Sequence, residues 1–223
     1  MKTETLAFDT PNGATTAYTA APDEINESTK AVILIHEWWG LNDHIKKIAE
    51  RYAGEGFIAV APDLYRGKLA ADPDEAAKLM ADLAIDDGLE TIKSAMAKAR
   101  ESFGVPNFGI SGYCMGGTFA LEAACRVEGL KAAAPYYGDI PSEDVLKGLE
   151  IPVVFVSGTK DAWINPAKVS ELTGAAEKYD LSVESLVYEA DHAFSNSSRP
   201  EVYDKDAAED AWAKVIKFFN ENL

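Results

Sequence analysis

Cysteine is scarce in this chain of 223 residues: there are two, Cys114 and Cys125. Both fall in a stretch that reads as a turn followed by one helix, where side chains so spaced lie too far apart along the axis to bridge. A disulfide framework is therefore excluded, and any sulfur chemistry belongs to a single thiol. Three histidines are present without C-x-x-C or H-x-x-x-H spacing, so no metal site is expected. No apolar run reaches the roughly 18 residues of a membrane span, and the opening MKTETLAFDT holds no apolar signal core. A cytoplasmic location is expected. Basic charge is short as well: 21 Lys+Arg stand against 37 Asp+Glu, a net charge of −16 that repels phosphate backbones and anionic lipid. Neither nucleic acid nor a membrane surface is expected as a partner.

What is present is the composition of an ordinary globular protein, 47% apolar and 26% charged. The length suits one α/β core, and residues 1–223 are expected to form a single domain. Short apolar or β-branched runs recur at Leu6–Phe8, Thr15–Thr19, Ala31–Ile35, Phe57–Ala61, Phe108–Ser111, Ala132–Ala134, Val153–Ser157 and Val183–Tyr188. A strand such as Ala31–Ile35, apolar on both faces, must be covered on two sides, which favours a mostly parallel central sheet. Helical patterns lie between the runs. Ile45, Ile48, Ala49 and Tyr52 follow the i, i+3, i+4, i+7 spacing, with Asn42 or Asp43 as cap and Gly54 as stop. Pro73 to Arg100 reads as one broken or two consecutive helices, and Ala208, Trp212, Val215 and Phe219 stripe a C-terminal one. An initial antiparallel pair followed by alternating strands and helices predicts a three-layer α/β sandwich.

The strongest local signal is FGISGYCMGG at 108–117, a strand running into G-x-C-x-G and then into a helix. This is the nucleophile-elbow pattern with Cys114 at its apex. Gly112 and Gly116 supply the small residues that let strand and helix approach, and the helix N-terminus favours thiolate at Cys114. The plainer reading is a buried structural cysteine in a Gly-rich turn. Ser111 lacks the second glycine, and Cys125 lies well inside the helix.

A nucleophile needs a base, and the base an orienting acid. In α/β-hydrolase folds these follow in the order nucleophile, acid, His, each after a later strand. Asp161 follows Val153–Ser157 and His192 follows Val183–Tyr188, so both land at strand carboxyl ends, where open α/β sheets bind ligands. Asp191 is the alternative acid. His36 precedes Cys114, and His44 falls in the first turn of a helix.

Taken together, the blocks HEWWGL at 36–41, APDLY at 61–65, GYCMGG at 112–117, GTKD at 158–161 and DHAF at 191–194 resemble the dienelactone hydrolase family (carboxymethylenebutenolidases) of the α/β-hydrolase fold. The resemblance implies Cys114 as nucleophile, His192 as base and Asp161 as its orienter. It also implies that Glu37 contacts the resting thiol and yields it on substrate binding, and that the Trp38 and Met115 N–H groups form an oxyanion hole. From position alone, Glu37 follows Ala31–Ile35 and points towards the reacting region, where it disfavours thiolate; pairing with a cation such as Arg66 is the alternative. Family enzymes bind a substrate carboxylate with arginines. Arg66 matches one of them, while Asn196 stands near the place of the other, with Arg199 beyond it. Trp38, Trp39, Tyr136, Tyr137 and Trp163 either wall an apolar pocket or belong to the core. The expected activity is hydrolysis of a small-molecule lactone or enol ester by a monomer without cofactor. The alternatives are a non-catalytic ligand-binding member of the fold and a thiol-based redox sensor.

Overall fold

Strand β3 (Ala31–Ile35) is buried at every residue and sits in the interior of one eight-stranded sheet in the computed structural model, which describes residues 1–26 and 28–223. The other strands are β1 (Lys2–Thr10), β2 (Gly13–Ala21), β4 (Ile58–Pro62), β5 (Phe108–Tyr113), β6 (Leu130–Tyr136), β7 (Val153–Gly158) and β8 (Val183–Tyr188). They lie in the order β1-β2-β4-β3-β5-β6-β7-β8. Strands β1 and β2 form an antiparallel hairpin, β2 pairs antiparallel with β4, and every later pairing is parallel.

Alternation along β3 divides the core. Ile33 and Ile35 pack with Leu89, Ile92, Phe119 and Leu172 on one face, while Val32 and Leu34 pack with Ile45, Tyr52, Trp212 and Phe219 on the other. The first face is covered by α3 (Ile85–Phe103), α4 (Met115–Arg126) and α6 (Pro166–Tyr179), the second by α1 (Asp43–Gly54) and α7 (Lys205–Asn222). These are the expected three layers. Of the two cap candidates for α1, Asn42 is the one used: its side chain accepts the Ile45 N–H at 3.2 Å.

The stretch after Pro73 is two helices, α2 (Pro73–Asp82) and α3, with a break at Leu83 and Ala84. Two helices without a counterpart in the sequence reading also appear, the short α5 (Glu143–Leu146) and α6. From β3 the chain passes to β4 on one side and later to β5 on the other. The sheet therefore has its switch point between β3 and β5, and a crevice opens beyond their carboxyl ends. His36 and Glu37 leave β3 there, and Cys114 leaves β5. No helix among the described residues is long and apolar enough to cross a membrane.

Candidate active site

Cys114 occupies the single residue between β5 and α4, with φ 56° and ψ −118°. A non-glycine residue held there costs about 1–3 kcal/mol, so its surroundings must impose the geometry. Two glycines do so. A Cβ on Gly112 would stand 2.1 Å from the Gly116 carbonyl oxygen, and one on Gly116 would stand 2.3 Å from the Ile35 oxygen. Strand β5, the start of α4 and the end of β3 are thus pressed backbone to backbone. The Cys114 N–H donates to the Tyr136 carbonyl at 3.1 Å, which ties the elbow to β6.

The loops after β7 and β8 bring an acid to a base. His192 Nδ1 lies 2.6 Å from Asp161 Oδ2. A carboxylate only accepts, so Nδ1 carries the proton and Nε2 is left as the basic nitrogen. Asp161 is buried and its other oxygen accepts the Trp163 and Ile164 N–H groups at 2.8 and 2.9 Å. Burial opposes its ionisation, but the hydrogen bond and charge of His192 and these two N–H groups outweigh it, holding the carboxyl below its usual range. The Thr159 N–H donates to Tyr188 and the Lys160 N–H to Ala190, at 2.8 and 3.0 Å, so the two loops are joined by backbone. Asp191, the alternative acid, is exposed.

Glu37 is 2% exposed, and its Oε2 accepts from Asn196 Nδ2 at 2.7 Å. Burial pushes its carboxyl up to about 7, with the nearby charge of Arg199 and the Asn196 hydrogen bond pulling the other way. Cys114 responds to the same surroundings. Burial and the Glu37 charge push its thiol up to about 12, against the opposing pull of the Met115 backbone N–H. The helix terminus does not win here: the resting sulfur is a neutral thiol. His36 sets the start of this loop, because its Nδ1 donates to the Glu37 carbonyl at 2.7 Å while Nε2 accepts the Leu64 N–H at 3.1 Å. Chain order gave His36 no role in the triad, and nothing in the sequence showed this positioning contact with Leu64, 28 residues away.

Glu37, Cys114 and His192 open on one cleft of about 820 Å³, with Trp38, Trp39, Met115 and Tyr137 in its walls. Tyr136, by contrast, is core. Trp163 is 67% exposed and stands edge-on to His192, ring centres 5.0 Å apart, with Tyr137 at 5.1 Å on the same imidazole. Two expected substrate contacts are corrected. Arg66 does not line the cleft and does not meet Glu37; its guanidinium grips Asp87 of α3 through two contacts of 2.9 and 2.5 Å, a nearer and better-shaped partner. Asn196 is likewise absent from the lining, because its amide is turned to Glu37 and its oxygen accepts from Ser198. Sequence reasoning pointed to Arg199 but missed its rim partner Glu201, and it missed the wall made by Met80, Leu83 and Ile85 around the α2–α3 break. The apolar residues among the many charges of α2 were the available signal. Among the described residues, no group of His, Cys, Asp or Glu is arranged to hold a metal ion.

A cysteine elbow at the switch point of a mostly parallel sheet, with His and Asp on the later loops, is the frame of an α/β hydrolase. More narrowly, the chain belongs to the dienelactone hydrolase family, whose sequence pattern matches residues 15–223. It is 37% identical over 206 residues to protein usf of Aquifex pyrophilus, covering 86% of this chain and 88% of that one. It is 34% identical over 205 residues, with the same coverage, to an Aquifex aeolicus protein provisionally named a carboxymethylenebutenolidase. The crystal structure of a Klebsiella pneumoniae protein, provisionally named a dienelactone hydrolase, matches with a TM-score of 0.89 at 27% identity over 99% of both chains.

Proposed function

We propose that the protein hydrolyses lactones or enol esters through Cys114, His192 and Asp161. The observation that carries this is the 2.6 Å contact between His192 and Asp161, in the cleft on which the strained Cys114 opens. His192 Nε2 takes the thiol proton and the sulfur attacks the carbonyl carbon. The carbonyl oxygen, now negative, is received by the Trp38 and Met115 N–H groups. Collapse breaks the acyl C–O bond, and the enolate leaves with the proton returned by His192, giving a thioester. Water then attacks the thioester, His192 takes its proton, and the thiol is restored as the acid departs.

Sulfur is expelled from the tetrahedral species more readily than a simple alkoxide, so the forward path needs a stabilised leaving group. An enolate is one, which is why enol esters and enol lactones stand ahead of amides. The Aquifex aeolicus relative's carboxymethylenebutenolidase name is consistent with this preference. Glu37 has a place at rest: burial first, and then the Glu37 charge, keep the thiol protonated until substrate displaces the carboxylate.

The test is turnover of a panel of enol lactones and aryl esters by wild type and Cys114→Ala, with mass spectrometry of the quenched protein. The expected result is a loss of at least about 10³-fold in kcat/KM for the variant, and an acyl adduct on Cys114 in wild type. Wild type that turns over none of the panel with Cys114 reduced, or a variant as active as wild type, would overturn the proposal.

A further inference from the structure

We infer that the cleft selects uncharged, mainly apolar esters or lactones, and that Glu201 is a specificity-determining residue that keeps the rim arginine from carboxylate-bearing substrates. This rests on the hydrolase reading above and names the substrate class of the same site.

A substrate carboxylate brought into a low-dielectric cleft needs a cation or several N–H donors in exchange for its water. The cleft supplies one cation, and that one already has a carboxylate partner. Arg66 is held by Asp87 outside the cleft, and the Asn196 amide is engaged by Glu37. Among the described lining residues, Arg199 is the one Lys or Arg side chain, and its Nε donates to Glu201 Oε1 at 2.8 Å. Against that single positive charge the lining carries Glu37, Asp139 and Glu201. Asp139 is compensated from outside the lining by Lys168 at 2.6 Å, but Glu201 answers Arg199 within it. An incoming anion therefore meets a guanidinium whose Nε already donates to a carboxylate, and that carboxylate stands beside it. Trp39, Met80, Leu83, Ile85 and Phe119 line the cleft as well and give it a largely apolar stretch of wall, which rewards a hydrocarbon or aryl group.

Glu201 carries the discrimination because of its position. The Arg199–Glu201 pair is partly exposed, with side chains 34% and 59% accessible, so it is weak enough to be broken by substitution without disturbing the core. Replacing Glu201 by glutamine leaves an amide beside Arg199 and frees the guanidinium to face an anion. It changes the net charge of −16 by one, so a change in selectivity reads the local field rather than the overall one.

The experiment compares two aryl esters of the same shape, 4-nitrophenyl 4-methylpentanoate and 4-nitrophenyl hemisuccinate, which differ in carrying an isopropyl group or a carboxylate. The readout is the ratio of their kcat/KM values within each protein, which cancels any difference in active fraction. In wild type the neutral ester is expected to be preferred by at least about 30-fold. In Glu201→Gln the ratio should fall about three- to tenfold, through a lower KM for the hemisuccinate, and Glu201→Gln with Arg199→Gln should restore it. Wild type that hydrolyses the hemisuccinate as well as the neutral ester overturns the inference while leaving the hydrolase reading intact. An unchanged ratio in Glu201→Gln overturns the role of Glu201. Turnover of neither ester, with Cys114 reduced, overturns the hydrolase reading and this inference with it.

Discussion

The two sides of the cleft are built differently. On one side the carboxyl edge of the sheet presents Glu37, Cys114, Asp161 and His192 from strands β3, β5 and β7, whose residues are all buried, and from β8 at the edge. There, backbone presses on backbone, and the glycines of the elbow leave no room for a methyl group. On the other side stands α2, in which Ala76 is the one buried residue of ten. Its Met80, with Leu83 beyond it, faces the cleft from a helix that contributes little to the core. The contrast teaches where each task lies: reacting groups need positions fixed to fractions of an ångström and are placed where packing fixes them. On the function proposed above, the apolar contacts to substrate fall to a thinly anchored wall, where a change of side chain costs the fold little.

The first way to break this contrast is to add one methyl group on the rigid side. In Gly116→Ala the new Cβ would lie 2.3 Å from the Ile35 oxygen and 2.6 Å from the His36 oxygen, both backbone atoms of the strand end that carries Glu37. Neither can retreat without parting β3 from β5. The expected cost is about 3 kcal/mol or more, lowering the unfolding midpoint by about 10 °C, with loss of activity. Thermal unfolding of the purified variant checks it; a midpoint within about 2 °C of wild type would show that the elbow is not tightly held.

This same division governs how much was legible in the sequence. Strands β3 and β8 end where their apolar runs end, and the elbow is legible because one decapeptide carries strand, turn and helix start. Asp161 and His192 are legible because each follows an apolar run directly, so topology alone brings them to the same edge. Helix α6 was missed although Asn165 and Pro166 mark its start, because its buried Val169, Leu172 and Ala175 are diluted by Ser170, Thr173 and Gly174. The fates of Arg66 and Asn196 were not legible. Sequence places both at the substrate, yet each is taken by a carboxylate distant in the chain: Asp87, 21 residues on, and Glu37, 159 residues back. A pairing of that kind depends on which faces the fold brings together, and no periodicity reports it.

A second test sharpens the contrast by asking what the rigid side costs. Glu37 is ionisable yet buried, its carboxyl pushed up to about 7 by burial, against an ordinary value near 4.5 in the unfolded chain. Below about pH 4.5 both states hold the proton and nothing is lost. Between there and about pH 7 the native state holds a proton that the unfolded state has released, so stability falls as pH rises, and above pH 7 the deficit is complete. It amounts to about 3 kcal/mol. Glu37→Gln keeps an oxygen for the Asn196 amide and has no proton to lose. It is expected to match wild type near pH 4.5 and to exceed it at pH 8 by up to about 3 kcal/mol, read from urea midpoints at the two pH values. The variant should also alkylate faster at Cys114, since burial and the Asp161 charge still keep the thiol protonated but the Glu37 charge is gone. Equal urea midpoints at pH 8 would show that Glu37 is ionised without strain.

The smallest effect belongs to the thin wall. Met80 is 41% exposed on α2 while lining the cleft, so Met80→Ala removes surface from substrate and little from the core. Stability should move by no more than about 0.5 kcal/mol. Lost contact with an apolar acyl or aryl group is felt equally in the bound ground state and the transition state, which raises KM and spares kcat. For 4-nitrophenyl 4-methylpentanoate a rise in KM of about two- to fivefold is expected, corresponding to part of one buried side chain. For the acetate ester, whose acyl group is too short to need that wall, KM should change less. A fall in kcat with unchanged KM would place Met80 on the catalytic side of the divide, and a destabilisation rivalling that of Gly116→Ala would erase the difference between the two walls.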